Sequence, residues 1–301
     1  MERRRIGSLE VSLVGLGCNN FGRRVDEAGT KRVVDAAIAA GVDFFDTADI
    51  YGGTKSEEFL GSVLKGRRHQ VVLATKFGME VDPDRKGAHP VYIRQAAEDS
   101  LRRLQTDHID LYQLHTPDPT VPIADTLGAL DELVQAGKVR EIGCSNFSVA
   151  QLREAEAAAG SGARFVSVQN EYSLFRRDPE EGVLAECERQ GLAFLPFFPL
   201  ASGLLTGKYR KGHAIPEGTR IQAGSAWLTE ANLDKVEGLI RFAESKGHSL
   251  LELAFSWLAS KPVIASVIAG ATRPEQVDAN STAADWKLAP EELAEIDRIM
   301  A

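Results

Sequence analysis

The chain has 301 residues, is 44% hydrophobic, and carries 43 acidic against 35 basic side chains, for a formal charge of -8. That is apolar enough for a large core, and an acid excess with no Lys or Arg run beyond Arg3-Arg4-Arg5 argues against nucleic-acid binding. Three widely spaced cysteines, Cys18, Cys144 and Cys187, suggest neither a disulfide framework nor a Cys-x-x-Cys metal site. With no apolar stretch long enough to span a bilayer, the expectation is a soluble cytoplasmic protein, monomeric or a low homo-oligomer.

In chain order, residues 5–11 read as two short strands about Gly7-Ser8, a small hairpin ahead of the main body. An alternation comes next: strand 14–17, helix 30–40, strand 43–48, helix 56–64, strand 71–76, helix 91–104, strand 109–115, helix 123–136, strand 141–145 and helix 149–159 capped by Ser148. Strands 165–170, 193–198 and 263–269 complete a set of eight, with helices at 180–190 and 250–260 between them and further helices at 232–246 and 290–300. Continuous apolar strands alternating with helices suit a parallel sheet covered on both faces. Eight such units favour closure into a (β/α)8 TIM barrel, a single domain over 1–301. A doubly wound open sheet is the competitor. No Gly-x-Gly-x-x-Gly opens a helix after the first strand, and no Pro/Gly/Ser-rich linker divides the chain.

On a barrel, chemistry collects at the carboxyl ends of the strands. Asp46 nearly ends the second strand, Tyr51 follows it, Lys76 ends the third and His115 the fourth. Neighbouring strands lie about 4.8 Å apart, so these side chains can converge in one pocket. Together they make a proton-donor set: a phenol is a poor acid at neutral pH, and a nearby ammonium is expected to lower its pKa. Asp46 would hold Lys76 charged and aimed, and His115 would orient a carbonyl. Singly, each has a structural explanation: a turn cap, a lysine reaching out of a strand end, a satisfied buried imidazole. Asp49, Gly52 and Gly53 are read as turn formers, and Asp49 receives no chemical role.

These residues carry a resemblance to the aldo-keto reductases along nearly the whole chain. Asp46-Thr47-Ala48-Asp49-Ile50-Tyr51-Gly52 is similar to the signature around the family's catalytic Asp and Tyr, and Ala74-Thr75-Lys76 and Leu114-His115 match its Lys and His positions. The resemblance implies a nicotinamide cofactor lying across the C-terminal mouth without a Rossmann domain. It implies that Ser145, Asn146 and Gln169 hold the carboxamide, although Ser145 and Asn146 also suit the N-cap region of the next helix. Phe197 takes a stacking position that is often Tyr, while Phe198 is also read as a barrel-core residue. Leu200, Ser202, Gly203 and Lys208 fall in the segment that covers the pyrophosphate. Gly270, Thr272, Arg273, Gln276 and Asn280 resemble the adenosine-end site, where Arg273 argues for NADPH over NADH. Asp46 also resembles a contact near the ribose.

The activity implied is reduction of an aldehyde or ketone to the alcohol, by hydride transfer from nicotinamide C4 with Tyr51 as the acid and no metal. Phe21, Phe77, Tyr51, Phe147 and Trp227 are candidate walls of the substrate pocket, although packing would equally explain aromatics there. A Schiff-base aldolase using Lys76 or a metal hydrolase would leave the cofactor segments unexplained, and no His-x-His or His-Glu-x-x-His occurs. The non-enzymatic alternative is a nicotinamide-binding regulatory subunit, which the resemblance to channel-associated relatives permits.

Overall fold

Strands β1 (Arg3–Ile6) and β2 (Leu9–Ser12) pair antiparallel, with Ile6 opposite Leu9 across a Gly7-Ser8 loop in which Gly7 has φ +56°. Ile6, Leu9 and Val11 point away from solvent and pack with Phe44, Ala74, Leu111, Leu195, Ala265 and Ile268. The hairpin therefore closes the floor of the main sheet. The computed structural model of the chain describes residues 1–301.

Eight parallel strands make the barrel: β3 (Val14–Gly17), β4 (Phe44–Asp46), β5 (Val72–Phe77), β6 (Ile109–Leu114), β7 (Val139–Ser145), β8 (Phe165–Glu171), β9 (Ala193–Phe197) and β10 (Val267–Gly270). Each pairs with its sequence neighbour, and β10 returns to β3. The ring closes between β9 and the chain just before β10, where Phe194 N donates to Val263 O at 2.8 Å and Ala265 N to Phe194 O at 3.1 Å. The expected strand over 263–269 is thus a closing bridge followed by a short regular strand.

Helices α1 (Glu27–Ala39), α2 (Lys55–Val63), α3 (Pro90–Leu104), α4 (Ile123–Gln135), α5 (Val149–Ala159) and α6 (Val183–Gln190) follow β3 to β8 in turn and cover the outside. The α1 and α5 starts are fixed by caps, Asp26 accepting from Gly29 N and Ser148 forming a capping box with Gln151. The helix expected from residue 180 begins at Val183, because Gly182 at φ +150° separates it from a 3₁₀ turn at Asp178–Glu181. After β9 a long segment crosses the mouth and leads to α7 (Glu230–Ser245) and α8 (Leu250–Ala259); α9 (Pro274–Ser281) and α10 (Pro290–Met300) end the chain. Arg4 ties this part to the hairpin by donating to the Ala259, Lys261 and Ile264 carbonyls at 2.7, 3.1 and 2.6 Å.

Strand residues alternate between two cores, as the period of two requires. Phe44, Ala74, Leu111 and Leu195 face the barrel interior, whereas Phe45, Phe77, Tyr112, Leu114, Cys144 and Val168 pack outward against the helices. Two residues further along the inward rows stand Asp46, Lys76, Gln113 and Phe197. The interior is apolar below and polar at its carboxyl end.

Candidate active site at the carboxyl end of the barrel

The polar layer is held by strand register: Gly17 pairs with Asp46, Lys76 with Gln113, and Ser145 with Gln169. Beyond Asp46 the chain still follows β5, with Thr47 N on Ala74 O and Asp49 N on Lys76 O, and then turns. Gly52 allows that turn to pack. With φ +62°, it lies where a Cβ would come 2.5 Å from Phe21 O and 2.9 Å from Gly22, so only glycine lets the β3–α1 loop brace the backbone next to Tyr51.

Lys76, fully buried, donates to Asp46 Oδ2 at 2.6 Å and to Thr47 O at 2.9 Å, and its Nζ lies 3.5 Å from Tyr51 Oη. The Tyr51 and His115 rings meet edge to face with centroids 5.9 Å apart. All four of Asp46, Tyr51, Lys76 and His115 are thus brought together. Burial alone would push the ammonium down, but Asp46 and Tyr51 outweigh it and hold Lys76 above its ordinary value. For Tyr51 the expected direction is corrected. Burial raises the phenol's pKa by more than the Lys76 ammonium lowers it, so the phenol keeps its proton. Burial and then the Lys76 charge push His115 down to about 3, which leaves a neutral imidazole. Its Nδ1 has no partner within the protein.

Ser145, Asn146 and Gln169 share one network. Ser145 Oγ donates to Gln169 O at 2.7 Å, Asn146 Nδ2 donates to His115 O at 2.9 Å, and Gln169 Nε2 donates to Asp46 Oδ1 at 3.0 Å. Asn146 has φ +62°. Other left-handed non-glycine residues follow β9 at Phe198, Ala201 and Ser202, with φ of 50°, 46° and 58°, and Gly203 continues the run at 102°. Such backbone costs of order 1 kcal/mol or more per residue, and it is concentrated in the segment that follows the carboxyl end of β9.

Phe197 is half-buried and inward by parity. Phe198 is 38% exposed, with the Arg220 guanidinium 5.7 Å from its ring, which corrects its reading as a core residue. Leu200 is half-buried, and the exposed Lys208 brings its Nζ to 3.3 Å from where a Gly203 Cβ would stand. Around the last strand, Thr272 donates to Gln276 Oε1 from N at 2.7 Å and from Oγ1 at 3.1 Å, while Asn280 is buried. A Cβ at Gly270 would meet Asn20 Nδ2 at 3.0 Å and Asn19 Oδ1 at 3.3 Å, so the backbone there stays bare. Arg273 is 67% exposed and only loosely paired, at 3.6 Å, with Glu275. No three His, Cys, Asp or Glu side chains are grouped to hold a metal, and no helix is long and apolar enough to cross a membrane.

The expected pocket walls need correction. Phe21 and Phe77 are fully buried and Phe147 nearly so. Because Lys76 points inward, Phe77 must point outward, where it stacks on Tyr112 at 4.7 Å; Phe147 packs edge to face on Phe165. They back the mouth without lining it, whereas Trp227 is half-buried beside Phe175. Asp49 stands in the turn, as expected, but it is not a solvated turn residue. It is only 1% exposed, neither carboxylate oxygen has a partner, and burial with the charge of Glu57 pushes its pKa up to about 7. Two polar residues of the mouth escape a reading by strand ends, Gln113 and Arg220. Counting back by two from His115 would have found Gln113 in the interior; Arg220, on the long segment after β9, has no comparable local signal.

The aldo/keto reductase family model matches residues 13–301. The chain is 35% identical over 305 residues to "Aldo-keto reductase YhdN" of Bacillus subtilis (strain 168), covering 97% of this chain and 91% of that one. It is 34% identical to a "Probable voltage-gated potassium channel subunit beta" of Oryza sativa subsp. japonica, covering 100% of this chain and 97% of that protein. Among solved structures it resembles aldo-keto reductase AKR11C1 from Bacillus halodurans in its holo form, with a TM-score of 0.82 at 34% identity over 99% of this chain and 96% of the other. It also resembles glycerol dehydrogenase AKR11B4 from Gluconobacter oxydans, with a TM-score of 0.87 at 29% identity over 99% and 94%. The chain belongs to the aldo/keto reductase family, oxidoreductases that act on carbonyl groups with a nicotinamide cofactor.

Proposed function

We propose that the protein reduces an aldehyde or ketone to the alcohol with NADPH, Tyr51 acting as general acid. The observation that carries this reading is the chain of contacts from Asp46 through Lys76 to Tyr51, 2.6 Å and then 3.5 Å, with His115 across the pocket. Bound at the mouth, the dihydronicotinamide supplies the hydride. Phe197 would face its ring, Ser145, Asn146 and Gln169 would hold its carboxamide, and Asp46 would also lie near the ribose. Leu200, Ser202, Gly203 and Lys208 would lie along the pyrophosphate. Gly270, Thr272, Arg273, Gln276 and Asn280 would take the adenosine end. The left-handed backbone at Phe198, Ala201, Ser202 and Gly203 and the side-chain-free Gly270 fit this use.

The protein's part in the reaction is to orient a carbonyl and move one proton. Neutral His115 can orient the carbonyl oxygen without competing as an acid. As negative charge builds on that oxygen, the Tyr51 O–H breaks and the proton completes the alcohol. The resulting phenolate lies 3.5 Å from the Lys76 ammonium, an attraction of about 5 kcal/mol at an effective dielectric of roughly 20. Asp46 keeps that ammonium in place. With Phe21, Phe77 and Phe147 packed in the core, Tyr51, Phe197, the exposed Met79 and Phe198, and half-buried Trp227 are the candidates for substrate contact.

In Tyr51→Phe, aldehyde-dependent NADPH oxidation should fall by about 100-fold or more while NADPH still quenches protein fluorescence. Near-normal turnover in that variant sinks the assignment. Titration with NADPH and NADH, followed by a carbonyl panel at saturating cofactor, tests the remainder. Tight NADPH binding with no turnover on any carbonyl would favour a regulatory subunit, as the similarity to a channel subunit suggests.

A further inference from the structure

Gln113 lies in the barrel interior two residues before His115 and has no exposed surface. Its Nε2 donates to Asp46 Oδ1 at 3.1 Å, and Gln169 Nε2 reaches the same oxygen at 3.0 Å while lying 3.4 Å from Gln113 Oε1. Lys76 holds the other Asp46 oxygen at 2.6 Å. Three donors therefore converge on one carboxylate. Because a carboxylate only accepts, it fixes both amides with nitrogen toward it and leaves Gln169 Oε1 unengaged. The place for Gln113 is built into the sheet. Its register partner is Gly143, where a Cβ would come 3.2 Å from Gln113 Cγ and 2.5 Å from Ser167 Oγ.

We infer that Gln113 is a positioning residue for the reduction, holding the Asp46 carboxylate against Lys76 and fixing the direction in which Gln169 presents its amide. This rests on the proposed roles of Asp46, Lys76 and Tyr51. A purely packing role would be met by any side chain of the same size. Positioning needs a donor on Asp46 Oδ1.

Gln113→Leu and Gln113→Glu separate the two, with Tyr51→Phe as the control. In Gln113→Leu, kcat should fall about 10- to 100-fold at every pH and NADPH should bind about threefold or more weakly, with an unchanged circular dichroism spectrum. In Gln113→Glu the introduced carboxyl is the same size and, beside Asp46, holds a proton that it can donate. Its activity relative to the unaltered chain should stay within about threefold at the acid end of the profile. It should then drop about 10-fold or more as that proton is lost on going alkaline. If Gln113→Leu does not fold, the pH profile of Gln113→Glu decides alone. The inference is overturned if Tyr51→Phe is inactive while Gln113→Leu turns over within about twofold of the unaltered chain, or if the Gln113→Glu ratio is flat with pH. If Tyr51→Phe stays active, the tetrad assignment fails and this inference falls with it.

Discussion

Lys76 shows how the charges near Tyr51 are balanced. It sits at zero exposure and is tolerable there only because Asp46 and the Thr47 carbonyl accept from it. Asp46→Asn keeps the shape but leaves a buried ammonium without its counter-charge. The expected result is lower kcat and weaker NADPH binding together, read from steady-state kinetics and fluorescence titration; unchanged affinity would count against a dual role for Asp46. Asp49 poses the opposite problem, a buried carboxylate with no donor, facing Glu57, Arg103, Lys76 and the Tyr112 phenol. Its folded pKa of about 7 lies above an unfolded value near 4, so the folded chain holds the proton longer. The resulting destabilisation is absent below about pH 4, grows as pH rises through that window, and is complete above about pH 7. Asp49→Asn should therefore gain stability relative to the unaltered chain between about pH 4.5 and 8, on the order of 3 kcal/mol, in urea unfolding at the two pH values. Any constant cost of burying the amide cancels in that comparison.

Among the elements, the turn after β4 is the most exacting. Gly52→Ala must accommodate a Cβ 2.5 Å from the Phe21 carbonyl at φ +62°. The β3–α1 loop and the Tyr51 turn should separate, with turnover reduced about 10-fold or more and global stability lowered by only about 1–2 kcal/mol. Activity lost in proportion to stability would argue for a general folding defect instead. The elements were mostly legible, because apolar strands of four to seven residues alternate with capped or glycine-ended helices. So were the chemical residues at strand ends, which stand where side-chain type departs from the apolar run. What stayed hidden was facing. Phe77 and Phe147 look like pocket walls in a linear reading, and only the parity set by Lys76, or the packing of Phe147 on Phe165, sends them outward. The burial of Asp49 and the approach of Arg220 to Phe198 depend on segments remote in sequence.

For the whole molecule, the floor matters as much as the mouth. Ile6, Leu9 and Val11 are buried beneath the interior, and at about 1.5–3 kcal/mol for each buried side chain their removal approaches the entire stability of a typical domain. A chain lacking residues 1–12 should show no cooperative thermal transition; a folded, active truncation would refute that role for the hairpin. The exposure of Arg273 makes a matching prediction at the mouth: NADPH affinity should weaken with added salt more steeply than NADH affinity, and Arg273→Ala should narrow the gap. The alternation of strand faces has a consequence for how this sequence can change. Lys76 and Phe77, or Gln113 and Leu114, are chain neighbours that answer to different demands, one to the reaction and the next to cohesion with the helices. In a saturation library sorted separately for abundance and for turnover, tolerance along β5 and β6 should oscillate residue by residue, with the two screens out of phase. Substrate range and durability could then be altered by independent sets of substitutions, interleaved along the same strands.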